Sequence, residues 1–215
     1  MRSALLEEFK KTLKKKYLFH LHTNYTDGVS TVEDYCQWAQ QNGYEVVIFT
    51  EHVRKKLTYS FEDYLIDINK AKQNFPNLKI LNGVEVKILP GGDLDLSGKI
   101  LDFCQILCFA CHSFPKDNEL FKDSLKKVCT DSRWKDYVRV WMHPSILSIN
   151  SKIENDQLLK ELIFFAIKEG VFIEYNLKYN TQTKHIVRDL QRSCIIQGLD
   201  AHSIQDLDSL AWKIQ

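Results

Sequence analysis

Short apolar runs alternate with longer amphipathic stretches along the whole chain, and the rhythm counts out as seven strand–helix pairs. YLFHLH (17–22), EVVIFT (45–50), LKILNGVEV (78–86), DFCQILCFACH (102–112), YVRVWMH (137–143), VFIEYN (171–176) and CIIQGLD (194–200) read as buried strands. Helices are expected over 30–43, 60–75, 117–132, 155–170, 183–193 and 203–213. Ser30 or Thr31 can cap the first, Gly43 and Gly170 end two of them, and Pro76 stops another. LPGGDLDL (89–96) reads as a turn or small hairpin. Parallel strands need crossover connections, so this alternation predicts a parallel sheet with helices packed outside it. A closed barrel and an open doubly wound sheet both satisfy the pattern. GxGxxG and P-loop signatures are lacking, and no linker or repeat breaks the chain, so one domain over residues 1–215 is expected.

With 44% hydrophobic and 27% charged residues over 215 positions, the chain can bury a full core without staples. A net charge of +1 offers no global field for nucleic acid or membrane. The opening MRSALLEEFKKTLKKKYLF is charged throughout, which argues against export and for a cytoplasmic protein. Lys14–Lys16 read as a solvated face. No run approaches the roughly 18 apolar residues of a membrane span. Six cysteines in a reducing compartment are expected as thiols, mostly packed as small apolar residues. CFACH (108–112) has the spacing of a haem attachment site. On a strand, however, Cys108 and His112 share one face and Cys111 takes the other, so the pair cannot easily grip one haem.

The histidines explain His112 better. Six of seven fall at or just past strand ends: His20, His22, His52, His112, His143 and His202. His185 sits in an expected helix and is read as a surface residue. His20 and His22 are two apart on a strand and face one side, and Asp200 and His202 repeat that spacing at the last strand. Glu85 ends the third strand, and Asp27 lies in the loop after the first. In a parallel barrel these ends crowd onto one face, where active sites of such folds lie. Imidazoles and carboxylates converging there make a metal site. Nine candidate ligands are too many for one ion and suit two or three, with a carboxylate such as Glu85 bridging.

FHLHTNYTDG, TEH (50–52), GVEVKILPGGDLDL, CHSF, MHP and GLDAH, in this order, resemble the successive motifs of the PHP family, the polymerase and histidinol phosphatase domains. The likeness runs nearly end to end. The third motif with its LPxGxLDL continuation is similar to small bacterial phosphatases of the family and to PHP domains attached to family X DNA polymerases. The resemblance implies an α/β fold, a distorted (β/α)7 TIM-like barrel, with up to three ions of zinc, manganese or iron. It implies one ion on His20, His22, Glu85 and Asp200. A second would share Glu85 and add His112 and His143, and a third would take Asp27, His52 and His202. The chain departs from the family pattern at Leu18, Glu51 and Lys87, none of them a proposed ligand.

The function expected is hydrolysis of small phosphate monoesters by a water activated on a multinuclear metal cluster. Asp200 or a metal-held water would carry the proton. Arg54, close after His52, and Lys178, after the sixth strand, are the candidates for binding the substrate phosphate. Histidinol phosphate is one possible substrate. A nucleic-acid end-processing 3'-5' exonuclease is an alternative, disfavoured by the charge and by the absence of a basic–aromatic strip. A non-catalytic metal-binding regulatory module is the third, disfavoured by a full ligand set.

Overall fold

A computed structural model describes residues 2–148, 151–179, 186–187, 190 and 192–210. In chain order its elements are α1 (Arg2–Thr12), β1 (Tyr17–Leu21), α2 (Val32–Gln41), β2 (Val46–Val53), α3 (Phe61–Asn74), β3 (Lys79–Leu89), β4 (Asp93–Leu94), α4 (Gly98–Leu101), β5 (Ile106–Ala110), α5 (Asn118–Thr130), β6 (Val138–Trp141), β7 (Ile146–Ser148), β8 (Ser151–Lys152), α6 (Asp156–Lys168), β9 (Val171–Asn176), β10 (Ile195–Gly198) and α7 (Ile204–Leu210). Seven strands run parallel in the order β1-β2-β3-β5-β6-β9-β10. Past its last rung the sheet curls shut. Leu199 donates from its backbone to Phe19, Ala201 to His20 and His22 to Ala201, at 2.9–3.1 Å. The closure rests on these bonds and one isolated bridge, Leu21 to Ala201, rather than on a full ladder. The molecule is therefore the expected TIM-like barrel, of seven strands and distorted at its seam.

Two apolar layers hold it. The inner faces of the strands enclose Phe19, Ile48, Cys108, Val140, Met142, Phe172 and Ile196. The outer faces meet the helices through Val47, Phe49, Val84, Leu107, Phe109, Trp141 and Ile173. The alternation follows from the period of two along each strand. α1, a helix the strand–helix rhythm did not count, adds Phe9 to the inner layer, where its ring meets Phe172 edge-on at 5.3 Å. Strand starts thus lie on an apolar plug and strand ends carry the polar residues.

Helix caps follow the sequence closely. Thr31 caps α2 in a reciprocal capping box with Asp34, and Ser60, Asp117 and Asn155 cap α3, α5 and α6. Gly43 and Gly170 take positive φ, +68° and +75°, after their helices. The LPGGDLDL turn is a hairpin in which β4 pairs with the end of β3, Ile88 opposite Leu94. That hairpin and the single turn of α4 replace a full helix at the third crossover, so the strict count of seven strand–helix pairs is one long helix too many. The fourth strand is also shorter than expected, beginning at Ile106 rather than 102, because α4 and its turn take up the preceding residues. The expected helix over 183–193, His185 with it, lies largely outside the described residues. Among those described, no helix is long and apolar enough to cross a membrane.

Candidate metal centre

Strand register does the first part of the assembly. β2 and β3 pair with His52 opposite Glu85, and β3 and β5 pair with Glu85 opposite Cys108, so these side chains share the inner face. β2 runs three residues further than the sequence pattern suggests, and His52 lies within the strand rather than after it. His20 and His22 leave β1 around a bulge. His112 and His143 stand just past β5 and β6, and Asp200 and His202 past β10.

Glu85 is the hub. It is fully buried, and five imidazoles surround its carboxylate. Oε2 lies 3.1 Å from His52 Nδ1, 3.2 Å from His22 Nε2 and 3.5 Å from His20 Nε2. Oε1 lies 3.0 Å from His112 Nε2 and 3.1 Å from His143 Nε2. Asp200 Oδ1 is 3.2 Å from His20 Nε2 and 3.5 Å from His22 Nε2. At the exposed rim, Asp27 sits 3.3 Å from both His52 Nε2 and His202 Nε2. All nine expected side chains therefore meet in one network.

The donor set fits divalent cations. His20 Nε2, both ring nitrogens of His22, His52 Nδ1, His112 Nε2 and Glu85 Oε2 are buried and have no hydrogen-bond partner among the described residues. Leaving a buried polar atom unpaired costs about 1–3 kcal/mol, and here such atoms converge on one another. Three groups of potential ligand atoms each lie within 4.8 Å of one another: His20, His22 and Glu85; His52, Glu85 and His112; and His22, His52 and His202. Imidazole and carboxylate without thiolate suits zinc, manganese or iron.

The backbone is bent to make this cluster. His20, His143 and Asp200 have φ of +70°, +29° and +51°, a region that side-chain-bearing residues rarely occupy. Such strain collects where surrounding structure over-determines a functional conformation. Gly28 has a different reason to be glycine, because a Cβ there would strike the carbonyl of His22. Fully buried Glu51 accepts from the Thr23 backbone and the Thr26 hydroxyl, each at 2.5 Å, and so fastens the loop that carries Asp27.

Charge is strongly polarised. Burial works against ionisation of Glu85, but the charges of His52 and His112, with a hydrogen bond from His143, hold its pKa well below the usual carboxylate value. Asp200 is likewise held low against burial by His20, His22 and His143. Burial opposes protonation of His20, yet Glu174 and Asp200 raise it well above an ordinary imidazole. His52 rises to about 10 against burial, chiefly through Glu85 and Asp27. His143 and His202 also rise against their burial, while at His112 burial outweighs Glu85 and the pKa falls.

The two candidate phosphate contacts sit at the edge. Lys178 Nζ donates to the Asp200 carbonyl at 2.9 Å and stands 3.4 Å from His202 Nδ1. Arg54 donates to the carbonyls of Val53 and Glu85, at 2.7 and 3.2 Å, and lines a cavity of about 210 Å³ with Asp27, His52, Lys56 and Tyr59. Two residues escaped sequence reasoning. Tyr179 donates its hydroxyl to Asp200 Oδ2 at 2.6 Å, and buried Glu174 contacts His20. Glu174 had a signal, a carboxylate inside an otherwise apolar strand; Tyr179 had none. The CFACH cysteines are packing residues: Cys108 lies in the inner layer and Cys111 in the outer, and burial pushes both thiols up.

Residues 19–139 match the family model described as PHP domain. The DNA polymerase/3'-5' exonuclease PolX of Bacillus subtilis (strain 168) is 25% identical over 202 residues, covering 89% of this chain and 35% of that protein. The chain thus spans about a third of this relative's length. Histidinol phosphate phosphatase from Lactococcus lactis subsp. lactis Il1403, solved with Zn, L-histidinol and phosphate, superposes with a TM-score of 0.62 at 18% identity, covering 93% of this chain and 94% of that one. A two-domain protein from Bacteroides vulgatus ATCC 8482, containing a predicted PHP-like metal-dependent phosphoesterase, reaches a TM-score of 0.52 at 15% identity over 91% of this chain and 55% of that one. At these identities the structural likeness speaks to the fold.

Proposed function

Because the chain belongs to the PHP domain family, we propose that it hydrolyses phosphate monoesters at two or three divalent ions held by its strand-end histidines and carboxylates. The observation that carries this reading is Glu85, one buried carboxylate with imidazoles around both oxygens. His20, His22, Glu85 and Asp200 would hold one ion, Glu85, His112 and His143 a second, and Asp27, His52 and His202 a third. Bound there, the ions supply Lewis acidity and lower the pKa of water to about 7.

The protein's own groups do the rest. Lys178 and Arg54 bring fixed positive charge to the rim and orient the phosphate, a role suited to their position beside His202 and His52. Asp200, or a water held by the ions, would take the proton released by the attacking water. Asp200 Oδ1 faces the imidazoles, and its Oδ2 is held by Tyr179. The whole chain, 1–215, acts as one catalytic unit in this reading.

A small phosphorylated substrate is favoured by the modest cavity and by the net charge of +1, which provides no extended track for a polyanion. Histidinol phosphate is a specific candidate, supported by the likeness to a histidinol phosphate phosphatase. The likeness to PolX supports a second reading, removal of nucleotides from nucleic-acid ends. Purified protein should hydrolyse p-nitrophenyl phosphate, lose activity to a chelator and regain it with Mn²⁺ or Zn²⁺. His20→Ala should abolish most of that turnover while leaving the circular dichroism unchanged. Faster degradation of single-stranded DNA than of any monoester would favour the second reading. Tight ion binding without turnover of any ester would leave a non-catalytic metal module.

A further inference from the structure

β9 places an acid inside the barrel. Along Val171–Asn176 the inner face takes Phe172, which belongs to the apolar interior, and then Glu174. Glu174 is fully buried. Its Oε1 lies 2.5 Å from His20 Nδ1, and its Oε2 accepts the backbone N–H of His143 at 2.6 Å. Space for it is built into the neighbouring strand. β10 pairs with β9, and a Cβ on Gly198 would overlap the Glu174 carboxylate.

Resting on the metal-centre reading above, we infer that Glu174 is the positioning residue that orients His20 toward the cluster and fastens His143 beside it. Its carboxylate is acceptor-only, so the bond to His20 requires the proton on Nδ1. That leaves the Nε2 lone pair facing Glu85 and Asp200, where a cation would need it. A carboxylate behind an imidazole in this way fixes the ring and raises its basicity as a ligand. The second oxygen reaches a different strand end. His20 and His143 both have left-handed backbone, and Glu174 touches the side chain of one and the amide of the other. Glu174 sits on the far side of the His20 ring from Glu85 and Asp200, so it acts through its neighbours rather than on substrate.

Glutamine cannot replace it. Two donors converge on the carboxylate, and an amide offers only one accepting atom. Either the His143 amide faces an NH2 group, or His20 must present Nδ1 as an acceptor and point a protonated Nε2 at the cluster.

The test measures Zn²⁺ affinity by competition with a chromophoric chelator for wild type, Glu174→Gln and Gly198→Ala, with the ion-free melting temperature of each. Both variants should bind Zn²⁺ about 10–100-fold more weakly, the second because its methyl group displaces the carboxylate from a different residue. In Zn²⁺-loaded wild type, nitrogen-15 NMR should show His20 protonated at Nδ1. The NMR measurement on wild type stands even where a variant fails to fold. Wild-type affinity in both variants, or a His20 that carries no proton on Nδ1 in the loaded protein, would overturn the inference and leave the metal centre intact. A wild-type protein that takes up no Zn²⁺ would overturn both.

Discussion

At the scale of single residues, the site works by setting like groups against burial. Carboxylates and imidazoles that would each be costly to bury alone are brought together until their charges compensate. His20, His52, His143 and His202 all have pKa values raised by the carboxylates beside them, His52 to about 10, which favours their protonated forms in the ion-free protein. An imidazole must give up that proton to bind a cation. Ion uptake should therefore release protons, and the sign is fixed: affinity for Zn²⁺ should climb as pH rises from about 6 to about 8. Calorimetry in buffers of different ionisation enthalpy reads the protons released. Affinity that is flat with pH, with no buffer dependence, would mean these imidazoles are not the ligands. His112, whose pKa is lowered, should add less to the count than the others.

At the scale of elements, the sequence was most readable where one local rule decides the outcome. The cap at Thr31 and the glycine-rich hairpin at Gly91 and Gly92 follow from side-chain chemistry and from φ > 0. Reading failed where tertiary packing decides. α1 is charged and weakly patterned in isolation, and it forms because Phe9 finds the open bottom of the barrel. The loop from His22 to Ser30 shows a further element-level constraint. Gly28 leaves no room for a methyl group beneath the His22 carbonyl, and the next residue back is Asp27. Gly28→Ala should displace Asp27 and lower the proposed turnover of p-nitrophenyl phosphate by up to about 100-fold, with little loss of secondary structure by circular dichroism. Unaltered turnover would show that the loop's position does not matter to the chemistry.

At the scale of the whole molecule, the barrel gathers residues from positions 20 to 202 into one network of imidazoles and carboxylates. The histidines and acids were legible because most stand at or just past strand ends, which a parallel barrel puts on one rim, although β2 and β3 run on to Val53 and Leu89 and so carry His52 and Glu85 within them. Glu174 and Tyr179 were not, because their partners are set by how β9 and the chain after it lie against His20 and Asp200, and spacing along the sequence does not encode that. The most direct measurement is the ion content of purified wild-type and Glu85→Gln protein by plasma mass spectrometry after loading with Mn²⁺ or Zn²⁺ and desalting. Two to three ions per wild-type chain, falling below one in Glu85→Gln, is the expected result; equal content in the two proteins, or a wild-type chain that retains none, would contradict it.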